Sequence, residues 1–366
     1  MKCVCSRDVL EYALASAERF TGKNINLPVL GSILLEAGDQ GIVLTATNLE
    51  SAFHASVPAK VQSKGNVSVP AKTLYQYIQS VQEDMIELEE KNKNLVVKTQ
   101  SREGKINGFN PEDFPIIPKI KKTHAFSVPI HELTPALEKV ISSASLSEFK
   151  PELNGVFFKV SQTEYVIAAT DTFRLAEKRI KHSGAKDGEM ISFILPTKIA
   201  QEITRVFGSD SKDIQFSIGE NQIEITNGGV KIFSRLIEGV FPEYSAIVPK
   251  TFGTSLYIPK QEFIQTIRSS SIFSSKLQDV KIDISQKKLE VSSENTEVGL
   301  AHASIPVEST GKTVSIHFNH RFLMDGMVGI TEEDFFFGAN DASTPALIRN
   351  KRDGSFTYVI MPIRLT

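Results

Sequence analysis

The densest group of residues able to do chemistry is Thr170-Asp171-Thr172-Phe173-Arg174, with two hydroxyls, a carboxylate and a guanidinium inside five positions. As catalysis, Asp171 would be a general base, but no partner nucleophile, metal ligand or paired carboxylate accompanies it. As structure, the segment is a strand end turning into a surface loop, with Arg174 pairing a carboxylate. The residues alone favour the structural reading. Cys3 and Cys5 are spaced C-x-C with no second pair, which suits alternate buried positions on a strand better than a metal site. His131-Glu132 lacks the second histidine of a metalloprotease helix, and His317 and His320 flank a helix start with no further ligands nearby. No P-loop, dinucleotide fingerprint or GxSxG elbow occurs. No catalytic residue, metal or cofactor is therefore assigned, and the chain is expected not to be an enzyme.

The elements that must position these residues follow a repeat. Leu10, Ala13, Leu14 and Ala17 have the i, i+3, i+4, i+7 spacing of an amphipathic helix. A similar run follows Pro129 (Leu133, Ala136, Leu137, Val140, Ile141), and a third follows Pro259 (Phe263, Ile264, Ile267). A second helix type recurs at the same period of about 125 residues, with Leu74, Ile78 and Val81 after Pro70-Ala71-Lys72, Ile199, Ile203 and Val206 after Pro196-Thr197-Lys198, and Leu323, Met327 and Ile330 after Asn319-His320-Arg321. Between them, Leu44–Thr47, Tyr165–Ala168 and Leu289–Ser292 alternate like half-buried strands. Asn227-Gly228-Gly229 marks a hairpin between Ile223–Thr226 and Val230–Phe233. The first two units end at Asp113-Phe114-Pro115 to Pro118 and Phe241-Pro242-Glu243-Tyr244 to Pro249, each followed by a polar connector; the third ends at Met361-Pro362-Ile363. The expected fold class is α+β, with three similar domains at 1–120, 124–249 and 250–366, each two helices packed on antiparallel sheet.

With 366 residues, 41% of them apolar, the chain can bury several cores, and disorder is excluded. No apolar run approaches the roughly 20 residues that span a bilayer, so no membrane partner is expected. Arg7, Asp8 and Glu11 interrupt what would be the apolar core of a signal peptide, and the low cysteine count suits a reducing cytoplasm. Against 41 basic residues stand 43 acidic ones, a net charge of −2, which excludes a protein that grips nucleic acid by bulk charge.

A domain of about 120 residues is about 35 Å across. Three in a ring leave a hole of only about 5 Å; six leave about 35 Å, enough for a duplex of roughly 20 Å with its hydration shell. One chain cannot encircle DNA on this arithmetic, but two joined head to tail can. The six helix segments sum to +2 and the remainder to −4, a sign that suits helices facing phosphates.

The chain resembles the bacterial DNA polymerase III beta subunit family, the DNA sliding clamps, over essentially its whole length. The resemblance rests on Leu27-Pro28-Val29-Leu30-Gly31, Ala46-Thr47-Asn48-Leu49-Glu50, Glu112-Asp113-Phe114-Pro115 and Leu153-Asn154-Gly155. Ala169-Thr170-Asp171 with Arg174-Leu175-Ala176, Gly239-Val240-Phe241-Pro242-Glu243-Tyr244 and the segment Tyr358 to Leu365 continue it in order.

The resemblance implies the DNA clamp fold, a head-to-tail homodimer in a six-domain ring with helices lining the hole, and a topological function: holding the replicative polymerase to double-stranded DNA without sequence preference. It implies the DNA polymerase III alpha subunit, a clamp loader and other clamp-binding-motif proteins as partners. Their Gln-x-x-Leu-Phe peptides would dock at Leu153, Thr170, Thr172, Arg174, Leu175, Pro242, Ile247, Val359, Met361, Pro362 and Ile363. This turns the Asp171 cluster from a structural turn into a pocket wall. Thr172-Phe173 stands where the family often has Gly-His, and Ala246 where an Arg is common, so the rim chemistry is altered. Lys23, Lys72, Lys150 and Lys198 are the expected DNA contacts. Ile272 and Phe273 are expected at the subunit interface, facing Leu74 and Ile78. The alternative function is a non-catalytic, repeat-built interaction scaffold that does not encircle DNA.

Overall fold

The computed structural model describes residues 1–147, 149–182, 190–207 and 213–364. The first repeat runs β1 (Lys2–Ser6), α1 (Arg7–Glu18), β2 (Ser32–Gly38), β3 (Gly41–Thr47), β4 (Ser51–Val57), β5 (Ala59–Ser63), β6 (Gly65–Pro70), α2 (Ala71–Ser80), β7 (Met85–Lys91), β8 (Asn94–Lys98) and β9 (Glu103–Ile106). The second runs β10 (His124–Pro129), α3 (Ile130–Val140), β11 (Gly155–Val160), β12 (Glu164–Thr170), β13 (Arg174–Lys181), β14 (Ile191–Pro196), α4 (Thr197–Val206), β15 (Asp213–Ile218), β16 (Gln222–Asn227) and β17 (Val230–Arg235). The third runs β18 (Thr254–Pro259), α5 (Lys260–Ser271), β19 (Asp279–Ile284), β20 (Lys288–Asn295), β21 (Gly299–Pro306), β22 (Ser309–Gly311), β23 (Val314–Asn319), α6 (His320–Val328), β24 (Asp334–Ala339), β25 (Ala346–Asn350) and β26 (Phe356–Ile360). Each repeat is thus strand–helix, a block of strands, a second helix, and three closing strands. Leu365, at the end of the C-terminal motif, lies outside the described residues.

The chain forms two compact units, Met1–Ile130 with Val206–Leu236, and His131–Arg205 with Ile237–Thr366. The first unit holds a five-stranded sheet, β5-β1-β7-β8-β9, and an eight-stranded sheet, β10-β15-β16-β17-β4-β3-β2-β6. The second holds a nine-stranded sheet, β14-β11-β12-β13-β26-β25-β24-β18-β22, and a four-stranded sheet, β21-β20-β19-β23. One rule generates both long sheets: the last strand of a repeat pairs antiparallel with the outer strand of the repeat before it, β17 with β4 and β26 with β13.

The helices form where the apolar spacing places them. Leu10, Leu14 and Ala17 of α1 are fully buried, and Leu133, Leu137 and Val140 do the same for α3. Each buried leucine contributes about 1.5–3 kcal/mol, which for helices this short outweighs intrinsic propensity. The second helix type begins as the strand before it ends. Pro70 and Pro196 close β6 and β14, while Asn319 caps α6 by accepting the Arg321 N–H at 2.9 Å. The β16–β17 hairpin turns on Gly228 at φ +56, a left-handed value that favours glycine.

Burial corrects one expectation. Leu74 and Ile78 of α2 are fully buried in the first unit, so they are core residues and not an interface surface. The i, i+4 spacing that marks them as apolar is the spacing of the face a helix turns toward its own sheet. The α2 residue that reaches the free edge strand is Tyr77, whose ring lies over Gly104 of β9 so closely that a Cβ there would meet it at 2.4 Å.

Cys3 and Cys5 occupy the two buried positions of β1. Burial pushes their thiols up to about 11 and about 12. A raised thiol pKa means that the folded state keeps protons the unfolded state releases, so their contribution to stability is lost as pH rises from about 9 through those values. Iodoacetamide at pH 8 is expected to leave both cysteines unmodified in the native protein and to alkylate both in denaturant, as read by intact mass. Rapid native alkylation would contradict the burial.

Candidate partner-binding site

The site in the second unit is built on the turn between β12 and β13. Asp171 Oδ1 accepts the backbone N–H groups of Phe173 and Arg174, both at 2.9 Å, while Oδ2 accepts Arg174 Nε at 3.0 Å. The Thr170 hydroxyl donates to the Arg174 carbonyl at 2.6 Å and accepts the Thr172 N–H at 3.2 Å. Both carboxylate oxygens of Asp171 are thus committed to the turn, which makes it an organiser rather than a base. Arg174 reaches further, to the Asp325 carboxylate and across the Phe322 ring at 4.2 Å, both on α6. Sequence reasoning missed Asp325 and Phe322. Each stands about 150 positions from Arg174, and nothing in their local pattern separates them from ordinary surface residues.

Thr172 has φ +78, the left-handed region that disfavours a β-branched side chain. Thr172→Gly relieves that strain but frees the unfolded chain, and the first effect is the larger. The variant is expected to be more stable by about 0.5–1 kcal/mol in denaturant titration; a less stable variant would mean the turn needs its side chain.

A cavity of about 700 Å³ opens beside this turn. Of the expected residues, Leu153, Thr172 and Arg174 line it, together with Leu146, Phe149, Phe173 and Phe322. Leu146 and Phe149 are 94% and 96% exposed, an apolar pair in a polar stretch that could have been flagged from sequence. Thr170, Leu175 and Val359 are buried and share one line across three adjacent strands, Thr170 opposite Leu175 and Leu175 opposite Val359. They support the wall rather than face solvent.

Leu153 packs with Ala168, Ile194 and Phe241 in a buried cluster. The segment that follows is pinned by Phe241, stacked on Phe157 at 4.7 Å, and by Tyr244, whose hydroxyl donates to Glu177 at 2.5 Å. Burial and the Glu177 carboxylate push the Tyr244 phenol far up, so it stays a donor. Pro242, between these anchors, and Ile247, three residues past Tyr244, are left exposed. The Met361 N–H donates to the Phe173 carbonyl at 2.8 Å, which ties Met361 to the turn. The Ile363 N–H donates to the His317 carbonyl at 2.8 Å, with Pro362 buried between. His317 itself pairs with Asp279 at 3.2 Å.

The four lysines are all exposed and enter no ion pair among the described residues. Lys72 and Lys198 sit in the first turns of α2 and α4, Lys23 follows α1, and Lys150 borders the 700 Å³ cavity. Ile272 is 69% exposed just past α5, and the Phe273 ring lies against Gly299 at the start of β21. Val298 and Leu300 beside it are 59% and 66% exposed. Sequence reasoning did not single them out, because their alternation reads as an ordinary half-buried strand. No helix among the described residues is long and apolar enough to cross a membrane.

Comparison with known proteins covers the whole chain. Residues 1–118, 127–243 and 245–364 match, in turn, the N-terminal, central and C-terminal domains of the DNA polymerase III beta subunit. The beta sliding clamp of Bacillus subtilis is 23% identical over the full length of both chains. That of Chlamydia muridarum is 26% identical over all of this chain and 99% of its own. Among solved structures, the DNA polymerase sliding clamp from Bacillus subtilis superposes with a TM-score of 0.95 at 23% identity. The DNA polymerase III beta subunit from Thermotoga maritima does so with 0.93 at 24%; both cover 100% of each chain.

Proposed function

The chain belongs to the DNA polymerase III beta subunit family, and from that premise we propose how it acts as a replicative sliding clamp: two copies join head to tail into a six-domain ring around duplex DNA. The strand-pairing rule carries this reading. The last strand of the second repeat extends the first, and that of the third extends the second, which leaves without an outer neighbour the last strand of the first repeat, β9, and the outer strand of the third, β21. A second copy supplies the missing partner for both, β9 on β21 twice over, and a closed ring leaves neither exposed. Domains at 1–120, 124–249 and 250–366 give the six bodies that such a ring needs.

The ring's work is topological. A polymerase held to it rebinds the primer end intramolecularly, so processivity rises without tight DNA contact. A net charge of −2 suits this, because strong phosphate binding would stop sliding. Lys23, Lys72, Lys150 and Lys198 would supply local, sequence-independent contacts. The DNA polymerase III alpha subunit, a clamp loader and other clamp-binding-motif proteins would dock Gln-x-x-Leu-Phe peptides on the Thr170–Arg174 turn, between Leu153, Pro242, Ile247 and Met361. The ring has no catalytic role of its own and would act in the cytoplasm. Loaded onto nicked circular DNA, the protein is expected to stay bound through gel filtration and to run off once the circle is cut. Equal retention on circle and linear DNA would overturn the topological reading.

A further inference from the structure

The first unit carries a second turn of the same kind, matched in the hydrogen bonds that its Thr and Asx side chains make to the backbone. Thr47 Oγ1 donates to the Ser51 carbonyl at 2.9 Å and accepts the Leu49 N–H at 3.0 Å, as Thr170 does with Arg174 and Thr172. Asn48 Oδ1 accepts the N–H groups of Glu50 and Ser51 at 3.0 and 2.8 Å, as Asp171 does with Phe173 and Arg174. Leu49 has φ +76 where Thr172 has +78. The Glu50 carbonyl accepts the Arg235 N–H at 2.9 Å, as that of Phe173 accepts Met361. Arg235 therefore stands where the other turn has Met361, and Leu49 where it has Thr172.

This turn borders a groove of about 350 Å³ whose opposite wall is Pro115 to Pro118 with Ile120. Its lining is apolar and open: Leu49 is 52% and Ile116 93% exposed. A leucine held at a left-handed φ is here only half covered by its own chain, which points to a contact made elsewhere. The border carries basic groups without ion-pair partners. Arg235 lines the groove with Glu50, and Lys119 and Lys121 adjoin its lining residue Ile120 in sequence; none of the three basic residues enters an ion pair among the described residues. Lys122 is already held by Glu224 at 3.1 Å.

We propose that this groove is a second peptide-docking site, taking a short extended segment of a partner protein in which a bulky apolar side chain is flanked by carboxylates. The apolar side chain fills the space between Leu49 and Ile116, and the carboxylates meet Arg235, Lys119 and Lys121. The altered rim makes it complementary to the site on β12 and β13 rather than redundant with it, since Arg235 selects charge where Met361 selects shape. The proposal stands on the first unit alone and does not depend on ring closure.

The test uses the full-length protein and a fluorescein-labelled peptide, Asp-Asp-Leu-Phe-Asp, carrying a benzophenone, with Lys-Lys-Leu-Phe-Lys as its charge-reversed partner. Binding is read by anisotropy in a Met361→Glu/Ile247→Glu background, which silences the other site. The acidic peptide is expected to bind there, to weaken about tenfold on Arg235→Glu, and to crosslink within 47–51 or 115–120. On that same variant the lysine peptide is expected to gain. Loss of all binding in the silenced background, indifference to Arg235→Glu, or crosslinks confined to the second unit would each overturn the proposal. Arg235 is exposed, so an unchanged melting temperature separates lost binding from lost folding.

Discussion

Ile272→Asp combined with Leu300→Asp is expected to turn the protein into monomers that no longer stay on circular DNA. Both side chains are about two-thirds exposed, so the substitutions leave the fold of a single chain intact. Leu300 lies in β21 and Ile272 precedes Phe273, whose ring lies against the first residue of that strand; the counterparts of β21, β4 and β13, each carry a neighbour that β21 lacks. Burying two such side chains on association contributes about 1.5–3 kcal/mol each, and a charge left unpaired in their place costs about 2–5 kcal/mol more. A head-to-tail ring repeats its interface, so every loss is felt twice. Sedimentation equilibrium at micromolar concentration reads the result directly. A dimer that persists with both substitutions would place the interface elsewhere.

Met361→Glu combined with Ile247→Glu is expected to weaken a Gln-x-x-Leu-Phe peptide by more than about 100-fold while leaving the dimer untouched. Met361 is held to the turn through its backbone N–H, so its side chain can change without moving the segment. Ile247, just past the anchor Tyr244, is 50% exposed, and a charge there stays in water until a peptide arrives. Leu175 is the wrong residue for this experiment. It is 1% exposed in the middle of the nine-stranded sheet, and a carboxylate there would unfold the unit before testing the pocket. Peptide affinity unchanged in the double variant would move the site off the turn.

Much of this was legible in the residues. The six α-helices among the described residues form where the two recurring apolar patterns put them, and Asn227-Gly228-Gly229 makes the hairpin it signals. The threefold recurrence of that order is a property of the sequence. So is the Thr170–Arg174 turn, because an Asp accepting the N–H groups two and three residues on is a local interaction. Its near-copy at Thr47–Ser51 has the same local cause.

What the sequence could not decide was everything that depends on distance along the chain. Apolar periodicity says that Leu74 and Ile78 are covered, but not whether their own sheet or a partner covers them; the fold shows their own sheet. It says that β9 and β21 are strands, but not that they alone break the pairing rule set by β17 with β4 and β26 with β13. Arg174 announces a charge needing a partner, and only the packed chain brings Asp325 and the Phe322 ring to it. The division follows from the physics. Helix faces, turns and hairpins are fixed by interactions within a few residues, which composition and spacing encode. Strand partners and pocket walls are set by which surfaces meet once whole repeats have packed, and only the tertiary structure holds that information.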